Sequence, residues 1–192
     1  MATIEQQATQ MRIEGGSRPL IAHVVFRFDY GGLENGIVNL VNHLPRGQFD
    51  HAIIALTEAS NFSARIRRPD VQVYSLRKRP GTDLPAYQRL WKLFREIRPT
   101  LVHTRNIGTM DCLFVAWLAG VPVRIHGEHG WDVHDPDGEN RKYHLMRRAV
   151  NPFTHGFVTV SQDLERWLVK RVGIRPGKVT AICNSVDTQR FH

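Results

Sequence analysis

The chain has 192 residues, of which 42% are hydrophobic and 23% are charged, an ordinary composition for one folded domain. No apolar run approaches the roughly 20 residues of a membrane-spanning helix, and residues 1–18 lack the apolar segment of a secretion signal. The formal net charge of +8 favours an anionic partner, such as a phosphate, a nucleotide, an anionic lipid or a nucleic acid, without choosing among them. Because residues 1–18 are polar, we expect them to form a disordered leader. The two cysteines, Cys112 and Cys183, suggest no disulfide framework, so we expect a cytoplasmic domain.

Short apolar segments alternate with amphipathic segments along the rest of the chain. The apolar segments predict strands at 20–26, 52–56, 71–76, 101–104, 123–126, 156–160 and 178–183. The amphipathic segments predict a helix with apolar positions Leu33, Ile37, Leu40, Val41 and Leu44, and further helices at 84–98, 109–119, 140–150 and 161–172. The helix at 84–98 has its apolar positions on one side, at Tyr87, Leu90, Trp91, Phe94 and Ile97. Since the strands are apolar throughout, the pattern indicates a Rossmann-like, doubly wound α/β fold, with a mostly parallel sheet and helices on both faces.

A glycine turn separates the first predicted strand from the first helix. Gly31 and Gly32 lie where the carboxyl end of a parallel strand meets a helix N-terminus, the place where such sheets bind ligands. The spacing Gly31-Gly32-Leu33-Glu34-Asn35-Gly36 is not the GxGxxG pattern of dinucleotide binding. By itself, the turn is explained equally well by chain geometry, because turns often use glycine.

Five segments, taken in chain order, resemble the amino-terminal half of family-4 glycosyltransferases. Gly31–Glu34 is similar to the family's GGxE segment, 98–103 to its (K/R)PDVVH strand entry, 126–132 to its HGxD loop, 158–161 to its aVS step, and 184–187 with Phe191 to NGVDxxxF. Ser185 departs from this pattern because glycine is usual there. If the position needs a positive φ, serine costs about 1 kcal/mol, which the fold can absorb.

The resemblance implies one half of a GT-B architecture, in which two Rossmann-like domains face each other across a cleft. On this basis, we expect a glycosyltransferase domain at 19–183 and the start of a linker at 184–192, with the carboxy-terminal donor-binding domain absent. The parent enzyme would be a retaining transferase that needs no metal or other cofactor. It would move a sugar from a nucleotide-sugar donor to a saccharide or lipid-linked acceptor, in exopolysaccharide or cell-envelope glycan synthesis. The chain alone would be inactive.

The same resemblance predicts the site residues. His129 matches the family's cleft histidine and is the candidate catalytic residue, and the candidate substrate-binding residues are Gly31, Gly32, Glu34, Asn106, Asp132 and Ser161. Simpler structural roles stay open for several of them. His129 could satisfy a loop backbone group, Asn106 could form a turn, and Glu34 could suit the first turn of a helix. A helix cap is the simpler role for Ser161.

Other functions compete with this interpretation. A metal-dependent enzyme could use His126, Glu128, His129, Asp132, His134, Asp135 and Asp137, although this loop lacks the helical spacing of a metal site. The basic charge could indicate nucleic-acid binding, but no recognised motif is present, and we expect no nucleic-acid partner. The helix at 84–98 combines aromatic and basic residues and could lie on an anionic membrane surface, although an ordinary amphipathic helix is the simpler explanation. A basic, non-catalytic binding domain is a further alternative.

Overall fold

The computed structural model describes residues 18–132 and 135–184. The predicted leader up to residue 17 and the predicted linker from Ser185 onward lie outside the described residues. The strands are β1 (Leu20–Val25), β2 (Asp50–Ala55), β3 (Gln72–Ser75), β4 (Leu101–Arg105), β5 (Val123–Glu128), β6 (Gly156–Thr159) and β7 (Val179–Ala181). The α-helices are α1 (Gly32–His43), α2 (Leu84–Ile97), α3 (Cys112–Leu118), α4 (Arg141–Val150) and α5 (Gln162–Trp167), which continues as a π-helical turn at Leu168–Val172.

The strands form one seven-stranded parallel sheet in the order β3-β2-β1-β4-β5-β6-β7. The chain moves outward from β1 to β3, returns through α2, and then moves outward in the opposite direction from β4 to β7. The order therefore reverses between β1 and β4, where His23 pairs in register with His103. In an open parallel sheet, such a reversal leaves a crevice at the carboxyl ends of the two central strands. The prediction of a doubly wound α/β fold is confirmed.

The two faces of the sheet are covered unequally by the described helices. One face, called here the covered face, packs Ala22, Val24 and Val102 against α2 and α3, and Phe157 against α5. On the other face, called here the open face, α1 packs against Val25, Ile53 and Ala55. Farther along the open face, a row of side chains on β4 to β6 is only half-buried among the described residues: Leu101, His103, Ile125 and Val158.

Local sequence signals set most helix boundaries. The Asp83 carboxylate accepts a hydrogen bond from the Ala86 backbone N–H at the start of α2, and Pro85 occupies its first turn. Arg98 ends α2 in the left-handed conformation, with φ 46°, just before Pro99. A 3-10 turn at Ile107–Thr109 occupies the start of the segment predicted as a helix at 109–119, so α3 begins later, at Cys112.

Two apolar positions that the periodicity assigned to buried helix faces are exposed. Leu40 of α1 is 42% exposed and Trp91 of α2 is 41% exposed, whereas Val38 and Leu93 are buried in their helices. The buried faces of α1 and α2 are thus rotated slightly about the helix axes relative to the predicted faces. None of the helices in the described ranges is long and apolar enough to cross a membrane.

Candidate functional site

The candidate site lies at the carboxyl ends of β1, β4 and β5, on either side of the reversal in strand order. Gly31 and Gly32 follow β1, Asn106 follows β4 and His129 follows β5. The fold therefore brings the ends of these three segments to one edge of the sheet, as expected for a doubly wound domain. Surface clefts also occur elsewhere, one lined by Asn61 to Val73 beside β3 and one at the opposite end of β4, but neither contains a predicted site residue.

Glu34 occupies the N-terminus of α1. Its side chain folds back over Gly31, so that a Cβ on Gly31 would collide with the Glu34 carboxylate. Burial raises the pKa of this carboxyl, while its own backbone N–H and Arg105 act in the opposite direction. A Cβ on Gly32 would meet open space. A Cβ on Gly31 would require the flexible end of the Glu34 side chain to move, and the positive end of the helix already faces this carboxylate of the same chain.

Asn106 fixes the start of the loop that carries His129. Its side-chain oxygen accepts a hydrogen bond of 2.8 Å from the His129 backbone N–H. Its own backbone N–H donates to the Gly127 carbonyl, also at 2.8 Å. Asn106 has φ 56° and ψ 172°, a region used almost only by glycine. The backbone strain is consistent with a residue held for its side chain, and the direct effect of that side chain is to position His129.

His129 is half-buried and neutral at physiological pH. Burial, followed by the positive charge of Arg105, lowers the pKa of the His129 imidazole to about 4. Its Nε2 atom is buried without a hydrogen-bond partner. A neutral imidazole with a free ring nitrogen can donate or accept a hydrogen bond, according to its tautomer. His129 thus carries no charge into the site.

A network of buried and half-buried histidines around Arg105 lies beside His129 on the open face. The Arg105 guanidinium donates from one nitrogen to Nδ1 of His23 and Nδ1 of His103, each at 3.1 Å. His23 Nε2 and His51 Nδ1 are 3.1 Å apart. Burial lowers the pKa of Arg105 to about 9, so it stays charged near neutral pH.

Sequence reasoning did not select these network residues. The available signal was a polar residue inside an otherwise apolar strand, as at His23 in LIAHVV and Arg105 in LVHTR. Such residues are rarely buried without a reason.

Asp132 and Ser161 have structural contacts of their own. The Ser161 hydroxyl accepts a hydrogen bond of 3.2 Å from the Leu164 backbone N–H and caps α5. The Asp132 carbonyl accepts a hydrogen bond of 2.9 Å from the Asp135 backbone N–H within the loop. The contacts described for these two residues do not join them to Asn106 or His129. Their predicted role in substrate binding stays a prediction.

The acidic and histidine residues proposed as metal ligands are dispersed. His126 and Glu128 point to the covered face, whereas His129 lies with the residues of the open face. Arg147 donates two hydrogen bonds to the Glu128 carboxylate, at 2.6 and 3.1 Å. Asp135 accepts hydrogen bonds from the backbone N–H groups of 139 and 140. Among the described residues, no group of three or more ligand-type side chains could hold a metal ion; His134 lies outside them.

The sequence profile described as Glycosyltransferase Family 4 matches residues 30–190. The chain belongs to glycosyltransferase family 4. The match includes the glycine turn, the strand that leads to Asn106 and the loop of His129, and it confirms the resemblance drawn from the five segments. The search of curated protein sequences finds no match.

Solved structures of GT-B proteins share this fold. A glycosyltransferase from Rickettsia africae has a TM-score of 0.63 and 18% identity over 91% of this chain and 45% of its own. Anabaena Alr3699/HepE in complex with UDP and glucose has a TM-score of 0.63 and 17% identity over 88% of this chain and 45% of its own. A UDP-N-acetylglucosamine 2-epimerase has a TM-score of 0.61 and 15% identity over 88% and 49%. This chain therefore spans about half the length of these proteins, and at these identities the likeness shows the fold alone.

Proposed function

We propose that the chain is the acceptor-side domain of a retaining glycosyltransferase that moves a sugar from a nucleotide-sugar donor to a saccharide or lipid-linked acceptor. The observation that carries this proposal is His129, a neutral imidazole held by Asn106 at the reversal of strand order. Family membership supplies the reaction class. In the structure with UDP and glucose, the matched protein is about twice as long as this chain, which agrees with donor binding by a second domain.

Glu34 favours acceptor recognition over diphosphate recognition at the first helix. A helix N-terminus attracts phosphate because its backbone N–H groups are free and its dipole is positive. Here, the Glu34 carboxylate already lies over Gly31, and a diphosphate at the same place would meet a negative charge. A carboxylate instead accepts hydrogen bonds from sugar hydroxyls. We therefore assign Gly31, Gly32 and Glu34 to a saccharide rather than to the donor phosphates.

His129 serves this reaction as a hydrogen-bonding group near the reacting sugar. In a retaining transfer, the acceptor hydroxyl attacks from the face that the diphosphate leaves, and the leaving phosphate takes the acceptor's proton. A neutral His129 stabilises the reacting sugar without adding a positive charge beside a centre that becomes positive in the transition state. No metal ion is assigned a part in this step. Because donor binding is assigned to a second domain, we expect the chain alone to bind a saccharide and not to catalyse transfer.

A lipid-linked acceptor would bring the domain to the inner face of a membrane. The exposed side of α2 and α3 presents large apolar side chains together with cations. These residues are Trp91, Phe114, Trp117, Leu118, Lys92, Arg95 and Arg98. Aromatic rings beside lysine and arginine suit the interface of an anionic bilayer. This arrangement supports peripheral membrane association and a role in exopolysaccharide or cell-envelope glycan synthesis.

Saccharide binding tests the proposed site directly. Saturation-transfer NMR of the chain with D-glucose should show contact, and titration should give weak, saturable binding. His129→Ala and Asn106→Ala should each weaken that binding at least tenfold, whereas His43→Ala, on the exposed end of α1, should leave it unchanged. Unchanged glucose binding in both site variants would remove the basis of the assignment.

Vesicle sedimentation tests the membrane part separately. Vesicles containing anionic lipid should retain the chain, and neutral vesicles should retain much less. Lys92→Gln combined with Arg95→Gln should reduce the difference, while Lys170→Gln with Arg171→Gln, distant on the π-helical turn, should not. Equal retention by both vesicle types would contradict an electrostatic docking surface.

A further inference from the structure

We propose that the carboxyl edge of the sheet carries two aromatic platforms, Phe26 and Trp131, and that it binds a chain of linked sugars rather than a single sugar. The proposal deepens the acceptor-side function proposed above and rests on it for the choice of a saccharide as the ligand. It follows from the exposure of the two rings, from the contacts that hold them, and from their places on either side of Asn106 and His129.

Large apolar side chains are exposed at the carboxyl edge of the sheet. Phe26, directly after β1, is 52% exposed, and Trp131, in the loop after β5, is 45% exposed. Tyr30 in the glycine turn and Ile182, directly after β7, are exposed at the same edge. Sites for small ligands combine apolar and aromatic walls with a few polar groups, so exposed rings at this edge are typical of a ligand-binding surface.

Trp131 is fixed in position by side chains of the covered face. Its ring packs edge to face with that of Trp167, with centroids 5.2 Å apart and ring planes at 82°. The Trp167 indole N–H donates a 2.8 Å hydrogen bond to the Gly138 carbonyl. Gly138, at φ 64°, leaves room for both rings, because a Cβ there would collide with them. A ring that is already fixed loses little conformational freedom when a ligand packs against it.

Phe26 lies at the reversal of strand order. Its side chain contacts the turn that follows Asn106, since a Cβ built on Gly108 would lie 3.4 Å from Cδ2 of the Phe26 ring. The Phe26 carbonyl accepts hydrogen bonds from the backbone N–H and the hydroxyl of Thr57, each at 2.9 Å. These contacts fix the chain at the end of β1 and place an exposed aromatic ring beside the crevice between β1 and β4.

The two rings lie on either side of the predicted polar site residues. In strand order, Phe26 follows β1, Asn106 follows β4, and both His129 and Trp131 follow β5. Neighbouring strands are about 4.8 Å apart, so the strands that carry the two rings are separated by about 10 Å. That distance is longer than one pyranose ring. It suits linked sugars that rest on both aromatic rings, with the polar residues between them.

A pyranose ring has the surface chemistry that this arrangement requires. Its hydroxyl groups project around the ring and its C–H groups form apolar faces, which the negative face of an aromatic ring attracts. Asn106 and neutral His129 match uncharged hydroxyl groups. A phosphate would gain nothing from the aromatic rings, and a lipid chain would leave the polar residues between them unpaired. The surface therefore favours the glycan part of an acceptor.

The first experiment compares ligands of different length and shape in NMR titrations of the chain. Cellobiose should bind about tenfold more tightly than D-glucose, because its second ring reaches the second platform. It should shift the ring signals of both Phe26 and Trp131. D-sorbitol, which has hydroxyl groups like those of glucose but no ring faces, should shift neither. Equal affinities for cellobiose and glucose, or equal shifts with sorbitol, would overturn the proposal.

The second experiment removes each platform in turn. Trp131→Leu and Phe26→Leu should each reduce the affinity for cellobiose to about that for glucose, whereas Trp131→Phe should retain part of the gain because it keeps an aromatic face. Trp117→Leu is the matched control and should leave both affinities unchanged. Trp117 has the same 45% exposure, but it lies near the end of α3, which runs back to the opposite edge of the sheet.

The outcomes separate this proposal from the proposed function. Cellobiose binding that survives both leucine variants but is lost in His129→Ala would overturn the platforms and leave saccharide binding at His129 standing. No binding of either sugar to the unchanged chain would overturn both. Because Trp131 also packs against Trp167, urea unfolding of each variant is measured as well. If Trp131→Leu does not fold, Phe26→Leu and Trp131→Phe decide the result.

Discussion

Two histidines three residues apart, in the segment His126-Gly127-Glu128-His129, lie on opposite faces of the sheet. On the covered face, His126 lies beside Glu128, Nε2 to Oε1 at 3.4 Å, and its Nδ1 is 2.8 Å from the Thr104 hydroxyl. There, Glu128 has its charge matched by Arg147, and all three side chains are buried. On the open face, His103 and His129 surround Gly127 with unpartnered nitrogens. Alternation along one strand thus places a structural ion pair and a candidate binding site back to back.

The polar residues of the segment 126–129 are neighbours in sequence, but they form two separate clusters on opposite faces of the sheet. Acidic and histidine residues in one loop suggest a metal site when they are counted together. Once the strand continues to Glu128, its carboxylate faces away from His129 and is already neutralised by arginine. Unpartnered buried nitrogens occur on both faces, at His126 Nε2 as well as at His103 and His129 Nε2, so the assignment rests on the ion pair of the covered face and on the predicted site residues Asn106 and His129 at the open face.

The largest effect is expected from breaking the ion pair of the covered face. Glu128→Leu would leave the buried Arg147 guanidinium without its partner, and we expect a loss of about 3–5 kcal/mol in the free energy of unfolding, measured in urea. Glu128→Leu with Arg147→Met should recover much of this loss. Asp163→Asn, which breaks an exposed pair with Arg166, should cost at most about 1 kcal/mol. A Glu128→Leu protein as stable as the Asp163→Asn protein would contradict the structural role.

The two faces should lose stability in different pH windows. Burial lowers the pKa of His51 and of His129 to about 4, and also lowers that of His23 and His103. Unfolded histidine titrates near about 6.5. Between these values, the unfolded chain binds more protons than the folded chain, so the free energy of unfolding falls as the pH drops from about 6.5 towards 4.

Glu128 makes the stability of the covered face depend on pH in a separate, more acidic range. Burial raises the pKa of this carboxyl, but His126 and Arg147 together outweigh burial and bring it to about 2. Its contribution is present above the unfolded value of about 4.3 and is lost as the pH falls towards 2. Urea unfolding at several pH values should show both windows. Replacing His51 and His129 together should reduce the pH dependence of the unfolding free energy between about 6.5 and 4, whereas His43→Gln should not. The same pH dependence in the unchanged chain and in both variants would refute the assignment.

Two variants of Asn106, on the open face, separate the effect of its strained backbone from the effect of its side-chain hydrogen bond. Asn106→Ala loses the bond to the His129 N–H and keeps a strained backbone, and should cost about 2 kcal/mol in unfolding free energy. Asn106→Gly relieves the strain and should cost about 1 kcal/mol less. Both should lose glucose affinity. If the glycine variant bound glucose normally, the side chain would have no part in positioning His129.

The smallest effect is expected at Ser161. Its hydroxyl caps α5 on the covered side of the molecule, so Ser161→Ala should cost about 1 kcal/mol in unfolding free energy and leave glucose binding unchanged. Ser161→Asp should retain the cap. Thermal unfolding and the NMR titration together would check this prediction. A large loss of affinity with unchanged stability would instead support the substrate contact that the family resemblance implies.

The sequence by itself determined the strand and helix alternation, the parallel doubly wound fold, the family, and the strand ends at which Gly31, Asn106 and His129 lie. These features follow from local hydrophobic patterns and from short motifs, both of which can be identified in a single sequence. Only the tertiary structure decided that Glu34 folds over Gly31, that Asn106 holds the His129 backbone, and that His103 and Arg105 belong beside them. Those contacts join residues on different strands, and their geometry depends on register and on which face each side chain takes. A sequence pattern fixes the alternation of faces, but the atoms that meet across strands are set by the packing of the whole sheet.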